Sequence, residues 1–279
     1  MEPRSRSFYV LAAFFTLFML FLYGPTVTIA ILSFQGPSGG LTFPMNGVSL
    51  HWFRDLFEQQ AVGDIWGSFS RSLVLGLMVM VTTVVVSVMG GLAFRRRFPG
   101  SNILFYLIIT ALVIPSILIS LGVGLMFSQS GLTVHWATSG FGAQLTWTLP
   151  FGLLIMFAVF NRFDSSYEEA ARDLGATSWQ TIRHVVLPII APSLIGVALF
   201  GFTLSYDEFA RTLLTAGSYK LLPLEIFGMT TNVTTPVLYA LGTLTTGFSL
   251  IMIGAFLLLT WVSTKRKARA GSDAGKGMV

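Results

Sequence analysis

The chain contains no cysteine and only 3 histidines among its 279 residues. Without cysteine it can form no disulfide framework, thiolate nucleophile or zinc-thiolate site. The histidines, His51, His135 and His184, lie far apart and lack the spacing of metal ligands. The apolar stretches also supply no nucleophile with an acid-base partner. We therefore expect no metal site and no catalytic residues, and we predict that the chain is not an enzyme.

Charge is scarce as well. Charged residues make up 10% of the chain and hydrophobic residues 53%, with 25 Phe and a mean hydropathy of +0.75. Soluble domains average about 25% charged residues. The net charge of +5 would suit nucleic acid only on the basic face of a soluble domain, whereas here the basic residues lie between apolar runs. The composition predicts an all-α membrane protein in contact with lipid, with no nucleic-acid partner.

About six stretches are long and apolar enough to cross the hydrocarbon core, which takes about 20 residues in a helix. They are Phe8–Phe34, Phe69–Phe94, Asn102–Phe127, Gly142–Phe160, Ile189–Leu214 and Pro236–Val262. The first follows Arg4 and Arg6, as in a signal peptide, but its apolar run is too long and no small-residue cleavage site follows. We expect it to remain as the first span.

The basic residues predict the orientation, because Lys and Arg near span ends stay in the cytoplasm. With the N-terminus inside, the 17 Lys and Arg residues fall mostly on the cytoplasmic side, and those left outside are Arg54, Arg71, Arg211 and Lys220. An odd number of spans would place the basic C-terminal tail outside. We therefore predict an even number, with both termini cytoplasmic, and interpret Arg95, Arg96 and Arg97 as a topology anchor.

Two segments lie outside this pattern. Ser49–Trp66 places aromatic and apolar residues among charges at helical spacing, which indicates a helix at the membrane interface. Packing against the outer rim of the bundle is the favoured interpretation, ahead of contact with a partner. Residues 265–279 consist largely of Gly, Ala and charged residues. They predict a disordered cytoplasmic tail after a transmembrane domain over residues 1–264.

The loop between the fourth and fifth spans has the pattern of two short helices, over about residues 165–186. Asp164 or Ser165 can cap the first, which carries Glu168 and Glu169 near its positive end. Gly175 allows the chain to stop or turn. The second begins at Thr177 or Ser178. It is expected to present these residues on one side: Trp179, Ile182, Val185 and Val186.

This loop resembles the EAA loop of ABC importer permeases. Glu169-Ala170-Ala171, Gly175 and Leu187-Pro188 stand at the spacing of that motif, with Val185 in place of its Ile. The alternative is an ordinary amphipathic connector. The resemblance implies the type I importer permease fold, a bacterial inner-membrane location and a coupling helix that docks on an ATPase. It assigns docking to Glu169, Ala170, Ala171 and Gly175, and the joint between loop and span to Leu187 and Pro188.

The resemblance also implies partners. The chain has no glycine-rich phosphate loop, so two copies of a cytosolic ATPase subunit would bind the ATP and Mg²⁺, and this chain would bind no cofactor. A second permease and an extracytoplasmic solute-binding protein complete the expected complex. A hetero-pair of permeases is favoured, and a homodimer stays open.

A wider resemblance, to the second permease of spermidine/putrescine importers, covers nearly the whole chain. It rests on Ser49–Phe53, Phe202–Glu208 and Leu222–Phe227, and implies a polyamine or a similar small cationic solute. An opine, an amino acid derivative and an aminophosphonate are the alternatives. A stand-alone secondary transporter or channel would need inverted repeats and several charges within the spans, and the sequence shows neither.

The candidate solute path follows the fifth span. The carboxylates of Asp207 and Glu208, beside the ring of Tyr206, would attract an ammonium group. Alternatively, Arg211 forms a structural ion pair with one of the two acids, or the acids face a partner. Trp147, with Pro150 after it, could shape a broken helix along the path. Pro223 could begin an outer gating segment, in which Glu225 is a further candidate.

Overall fold

The computed structural model describes residues 5–58, 63–96, 98–232 and 235–276. Within these ranges the chain is helical, apart from loops and one isolated bridge between Gln35 and Val48. The helices are α1 (Arg6–Leu32), α2 (His51–Glu58), α3 (Ile65–Phe94), α4 (Ser101–Val113), α5 (Ser116–Gln129), α6 (Trp136–Asn161), α7 (Ser166–Asp173), α8 (Ser178–Tyr206), α9 (Leu222–Asn232) and α10 (Val237–Lys276).

Among the described residues, five helices are long and apolar enough to cross a membrane: α1, α3, α6, α8 and the part of α10 up to Val262. The sixth candidate is the pair α4 and α5, whose axes differ by 107°. The prediction of one helix over Asn102–Phe127 is therefore wrong. Pro115 lies at the break and has no N–H to donate, and Ile114 before it has the extended ψ of 127° that a following proline favours.

The predicted fifth span, Ile189–Leu214, is displaced from the helix that the chain forms. α8 starts at Ser178 and ends at Tyr206, and the chain then forms turns. A wider π-helical turn, in which the Leu187 N–H donates to the Ile182 carbonyl, directly precedes Pro188. The helix therefore continues through a residue that has no N–H.

The fourth span also starts earlier than predicted, with a π-helical turn at Trp136–Gly140. Pro150 is buried inside α6, which runs on to Asn161. Pro150 therefore does not break the helix, which was one of the possibilities for this residue.

One compact unit of the chain comprises Met1–Asp64 and Ile226–Leu250. Within it, α2 buries Trp52 and Leu56, four residues apart on one face, while Phe57 is exposed. α2 is the amphipathic helix predicted in Ser49–Trp66, but Trp66 already lies in α3 and is exposed. The packing of α2 against the rim of the bundle stays a prediction. Residues 59–62 of that segment lie outside the described residues.

The second compact unit comprises Ile65–Glu225 and Ile251–Val279, and its core lies between α3, α6 and α8. Small residues allow these helices to approach closely, as is usual in membrane bundles. At Gly152 a Cβ would lie 2.2 Å from the Ser87 Oγ, and at Gly91 it would lie 2.7 Å from the ring of Phe160. α6 thus packs closely on α3. α6 is followed by the loop that carries α7, and the end of α3 lies beside this loop.

The C-terminal segment differs from its prediction. The backbone of α10 continues as helix to Lys276, whereas a disordered tail was expected from Lys265. Ala, Lys and Arg are strong helix formers, so they extend a helix that already exists at little cost.

Candidate coupling loop and solute path

The first helix of the loop is capped by Asp164. The Asp164 Oδ1 accepts a hydrogen bond of 2.9 Å from the Ser166 N–H, which lowers the pKa of this carboxyl below its ordinary value. Ser165 occupies the N-cap position, but its side chain makes no capping bond. Of the two predicted caps, Asp164 is the one that acts.

Gly175 ends α7 in a left-handed conformation, with φ of +83°. The Gly175 N–H donates to the Arg172 carbonyl over 2.8 Å, and the Ala176 N–H donates to the Ala171 carbonyl over 3.0 Å. These two bonds form a Schellman motif, which satisfies the last carbonyls of a helix. A Cβ here would meet nothing within 4 Å, so the backbone angle is what favours glycine. The predicted turn is confirmed.

The next helix begins where predicted, because Thr177 and Gln180 form a capping box. The Thr177 N–H donates to the Gln180 Oε1 over 2.8 Å, and the Gln180 N–H donates to the Thr177 Oγ1 over 3.3 Å. It is not a separate short helix, however, since it continues through Leu187 and Pro188 into the span. Trp179 was expected on the same side as Val186, but Trp179 is 66% exposed and Val186 is buried.

α7, the turn after it and the start of α8 expose several apolar and small side chains. Leu174 is 90% exposed, and Tyr167 and Trp179 are exposed as well. Glu169 and Ala170 are also exposed, whereas Ala171 is partly buried. We call Tyr167, Glu169, Ala170, Leu174 and Trp179 the α7 surface. Exposed apolar groups of this size among polar ones are typical of a docking surface for another protein.

Sequence reasoning missed the contact of α7 with the rest of the bundle. Arg95, interpreted as part of a topology anchor, binds the carboxylate of Glu168. Arg96 is exposed, and Arg97 lies outside the described residues. An Arg at the end of the second span and a Glu in the loop between the fourth and fifth spans could have indicated a pair, but 73 residues separate them along the chain.

At the far end of α8, Arg211 is completely buried. Its Nη1 donates to the Ser116 Oγ over 2.6 Å, and its guanidinium carbon lies 4.5 Å from the centre of the Trp147 ring. The Arg211 Nη1 also lies 3.8 Å from the Glu208 Oε2, and the Arg211 backbone N–H donates to the Glu208 Oε1 over 3.1 Å. Arg211 thus forms the structural ion pair that was one of the alternatives, and its partner is Glu208 rather than Asp207.

The structure therefore separates the residues expected to line the path. Trp147 and Glu208 come together around Arg211. Tyr206 is buried and stacks on Phe202, with ring centres 5.6 Å apart, while Asp207 is exposed. Ser116, which sequence reasoning missed, lies directly after the break between α4 and α5.

The segment around Pro223 forms the first turn of α9. Glu225 is buried there, and its Oε2 lies 3.7 Å from the Lys220 Nζ. The Leu222 N–H donates to the Ser72 Oγ of α3 over 2.8 Å. Among the described residues, no group of three or more His, Cys, Asp or Glu side chains is placed to hold a metal ion.

A family of known proteins matches residues 83–265, which include both candidate sites. It is described as the binding-protein-dependent transport system inner membrane component. The chain belongs to this family. It is an ABC importer permease of the inner membrane, as predicted.

Curated relatives cover almost the whole permease. The spermidine/putrescine transport system permease protein PotC of Haemophilus influenzae is 27% identical over 91% of this chain and 97% of its own length. The putrescine transport system permease protein PotI of Escherichia coli is 28% identical over 81% of this chain and 82% of its own length. The prediction of a non-enzymatic transport subunit agrees with these relatives.

Solved structures show the same fold. A chain of a bacterial ABC transporter involved in the import of the acidic polysaccharide alginate has a TM-score of 0.69 and 16% identity, and the match covers 95% of this permease and 99% of that chain. A chain of the MetNI methionine ABC transporter has a TM-score of 0.54 and 17% identity, over 71% and 94% of the two chains. The predicted fold class, an ABC transporter permease built from membrane-spanning helices, is confirmed.

Proposed function

We propose that this permease imports a polyamine or a similar small organic cation, driven by a cytosolic ATPase that docks on the α7 surface. In the complex, it pairs with a second permease to enclose the path, two ATPase subunits bind ATP and Mg²⁺, and an extracytoplasmic binding protein delivers the solute. Both termini and α7 lie on the cytoplasmic side. The family description, binding-protein-dependent transport, supports the delivery step.

The outward exposure of the α7 surface carries the coupling proposal. Glu169 and Ala170 belong to the EAA motif, and both point away from the bundle. Leu174 leaves nine tenths of its surface open, an arrangement that a partner protein would bury. Gly175 and Ala171 serve this surface indirectly, through the bonds that end α7.

The joint between loop and span is the continuous course of α8. Leu187 and Pro188 lie inside this helix, which leads from the capping box at Thr177 to Tyr206. A helix transmits displacement because its backbone is hydrogen-bonded along its length. Movement of a docked ATPase would thus move the span, with no chemistry in this chain.

The solute class rests on the relatives and on the acidic end of α8. The named substrates of those relatives are spermidine and putrescine. In this permease, the exposed carboxylate of Asp207 would attract an ammonium group.

The test uses the complete complex in proteoliposomes, with the binding protein supplied on the opposite face from ATP. We expect putrescine or spermidine to stimulate ATP hydrolysis and uptake. Asp207→Asn should lower uptake by roughly tenfold with assembly intact, because it removes an attraction worth about 1.4 kcal/mol. Glu58→Gln, which neutralises an exposed carboxylate of α2, is the control.

Three outcomes would contradict the proposal, each in a different part. Stimulation only by an opine, an amino acid derivative or an aminophosphonate would remove the polyamine assignment. Uptake by the purified permease alone would show that no ATPase is needed to drive transport. Full coupling in a Glu169→Arg variant would remove the docking role of α7.

A further inference from the structure

The end of α3 is joined to α7 by a two-point contact. The Arg95 Nη1 donates to the Glu168 Oε1 over 2.5 Å, and the Arg95 Nη2 donates to the Glu168 Oε2 over 3.2 Å. Bidentate pairs of this kind fix direction as well as distance, because the planar guanidinium matches the planar carboxylate. The contact therefore resists rotation of α7 relative to α3.

The pair is shielded from water. The Arg95 side chain is 23% exposed and the Glu168 side chain 12%. The guanidinium carbon of Arg95 also lies 5.4 Å from the centre of the Phe160 ring and 5.2 Å from that of Phe163. Phe160 belongs to the last turn of α6, so a single arginine contacts α3, α6, the following turn and α7.

Two pockets that open to solvent flank this contact. A cavity of about 520 Å³ is lined by residues of α3, α7 and α8, including Arg95, Arg96, Glu168 and Arg172. A second cavity, of about 430 Å³, lies on the side of Phe94, Arg95 and Phe157. Few residues of α3 and α7 approach each other directly, so the ion pair is a principal contact between these two helices.

The side chains of two adjacent glutamates of α7 thus point in different directions. Glu168 points into the bundle, towards Arg95, and also lies 3.8 Å from the Arg172 Nη2. Glu169 is exposed on the α7 surface. Successive residues of a helix lie about 100° apart, so one turn can face a partner and the span ends at once.

Along the chain, α7 is joined to α6 and α8 by two short non-helical segments. On one side lies the non-helical segment around Arg162–Ser165, and on the other the left-handed turn at Gly175. Neither segment continues a helical backbone from α7 into α6 or α8, so the ion pair adds a side-chain contact to these connections.

We propose that the Arg95–Glu168 pair transmits the displacement of α7 to α3 and α6. The proposal rests on the function proposed above, in which an ATPase docks on α7. Glu168 and Arg95 are positioning residues: they contact neither ATP nor solute, and they determine how far the spans follow α7. Without the pair, α7 would act on α3 and α6 only indirectly, through α8 and through the chain that joins α7 to α6.

The experiment uses the complete complex in proteoliposomes and measures uptake per ATP hydrolysed. The variants are Arg95→Gln, Glu168→Gln, Arg95→Lys and the double exchange R95E/E168R. Arg96→Gln is the matched control, since it removes the same charge from the next residue, whose side chain is exposed. Docking is followed separately, by a maleimide photo-crosslinker on Asp173→Cys, an exposed α7 position in a chain without native cysteine.

We expect Arg95→Gln and Glu168→Gln to keep their cross-link to the ATPase and to lose uptake per ATP by at least roughly tenfold, as for one lost charged hydrogen-bonded pair. R95E/E168R should recover most of the ratio. Arg95→Lys should recover less, because an ammonium group cannot make the bidentate contact. Arg96→Gln should match the unmodified permease.

The proposal is overturned if Arg95→Gln and Glu168→Gln behave like Arg96→Gln, or if the double exchange rescues nothing in a complex that assembles. Loss of the cross-link in Arg95→Gln would also overturn it, because the pair would then present α7 rather than transmit its movement. Failure of the docking function looks different: no cross-link forms even in the unmodified permease, and Glu169→Arg leaves coupling intact.

Discussion

The guanidinium of Arg211 lies over the Trp147 ring at 4.5 Å, in a position with no exposed surface. A buried arginine is costly unless it is paired, and in a membrane span it would be more so. The Glu208 carboxylate, the Ser116 hydroxyl and the aromatic face supply the pairing. The contact ties α5 and α6 to the turn that follows α8.

This relationship predicts a strong effect of Arg211→Met on stability. The change leaves the Glu208 carboxylate largely buried without its cation, which should lower the free energy of unfolding by about 3–5 kcal/mol. Unfolding of the detergent-solubilised permease by SDS measures it. R211M/E208Q should recover part of the loss, and Arg162→Met, at an exposed arginine, should change little. An equal loss in the single and double variants would contradict the ion pair.

Gly175→Ala should weaken the end of α7. The left-handed backbone at φ +83° costs a residue with a side chain about 1–2 kcal/mol, although space is free around the Cβ. Gly175→Asn should cost less, because asparagine tolerates this conformation. Hydrogen exchange of the Ala176 amide, which donates to Ala171, reports the loss directly. Equal exchange in the Ala and Asn variants would show that the backbone angle is unimportant.

Asp164 should make the start of α7 sensitive to acid. Its folded pKa lies below the ordinary value of 3.8, so the charge-dependent part of its capping contribution is present above that pH and is lost as the pH falls through the lowered pKa. We expect faster hydrogen exchange of the Ser166 amide in Asp164→Ala at neutral pH, and nearly normal exchange in Asp164→Asn, which keeps the acceptor. Asp173→Ala, at the other end of α7, is the control. Unchanged exchange in Asp164→Ala would contradict the cap.

Replacement by alanine should have different effects at two glycines, one between α6 and α3 and one in α10. Gly152→Ala places a methyl group 2.2 Å from the Ser87 Oγ, so it should destabilise the permease by about 1–3 kcal/mol. Gly254→Ala in α10 meets nothing within 4 Å and should be neutral or stabilising by up to about 1 kcal/mol, as alanine favours helix. Thermal unfolding in detergent distinguishes the two. A destabilising Gly254→Ala would contradict the open space there.

The features that sequence reasoning predicted correctly are those determined by neighbours along the chain. The caps at Asp164 and Thr177 and the turn at Gly175 each depend on a few consecutive residues. Helical spans follow in the same way from apolar length. The ends of the spans were predicted less well. A proline lacks an N–H, and the helix responds with a π-helical turn before Pro188 but with a sharp break at Pro115.

The contacts that position the two sites could not be predicted in this way. Arg95 binds Glu168, which is 73 residues away along the chain, and Arg211 binds Ser116, which is 95 residues away. Each arginine had a plausible partner or role nearby: a topology anchor for Arg95, and Asp207 or Glu208 for Arg211. Only the packing of α3, α5, α6 and α8 decides which polar groups share a buried space.

The uninterrupted course of α8 also sets a scale for the transport cycle. Its 29 residues form a rod about 43 Å long at 1.5 Å per residue. As a lever pivoting near Ser178, it would carry Tyr206 through about 4 Å for a tilt of only about 5°. That travel exceeds the 2.6 Å bond between Arg211 and Ser116. If Arg211 moved with Tyr206 while Ser116 stayed in place, a small tilt at the loop would break this bond with no helix having to unwind.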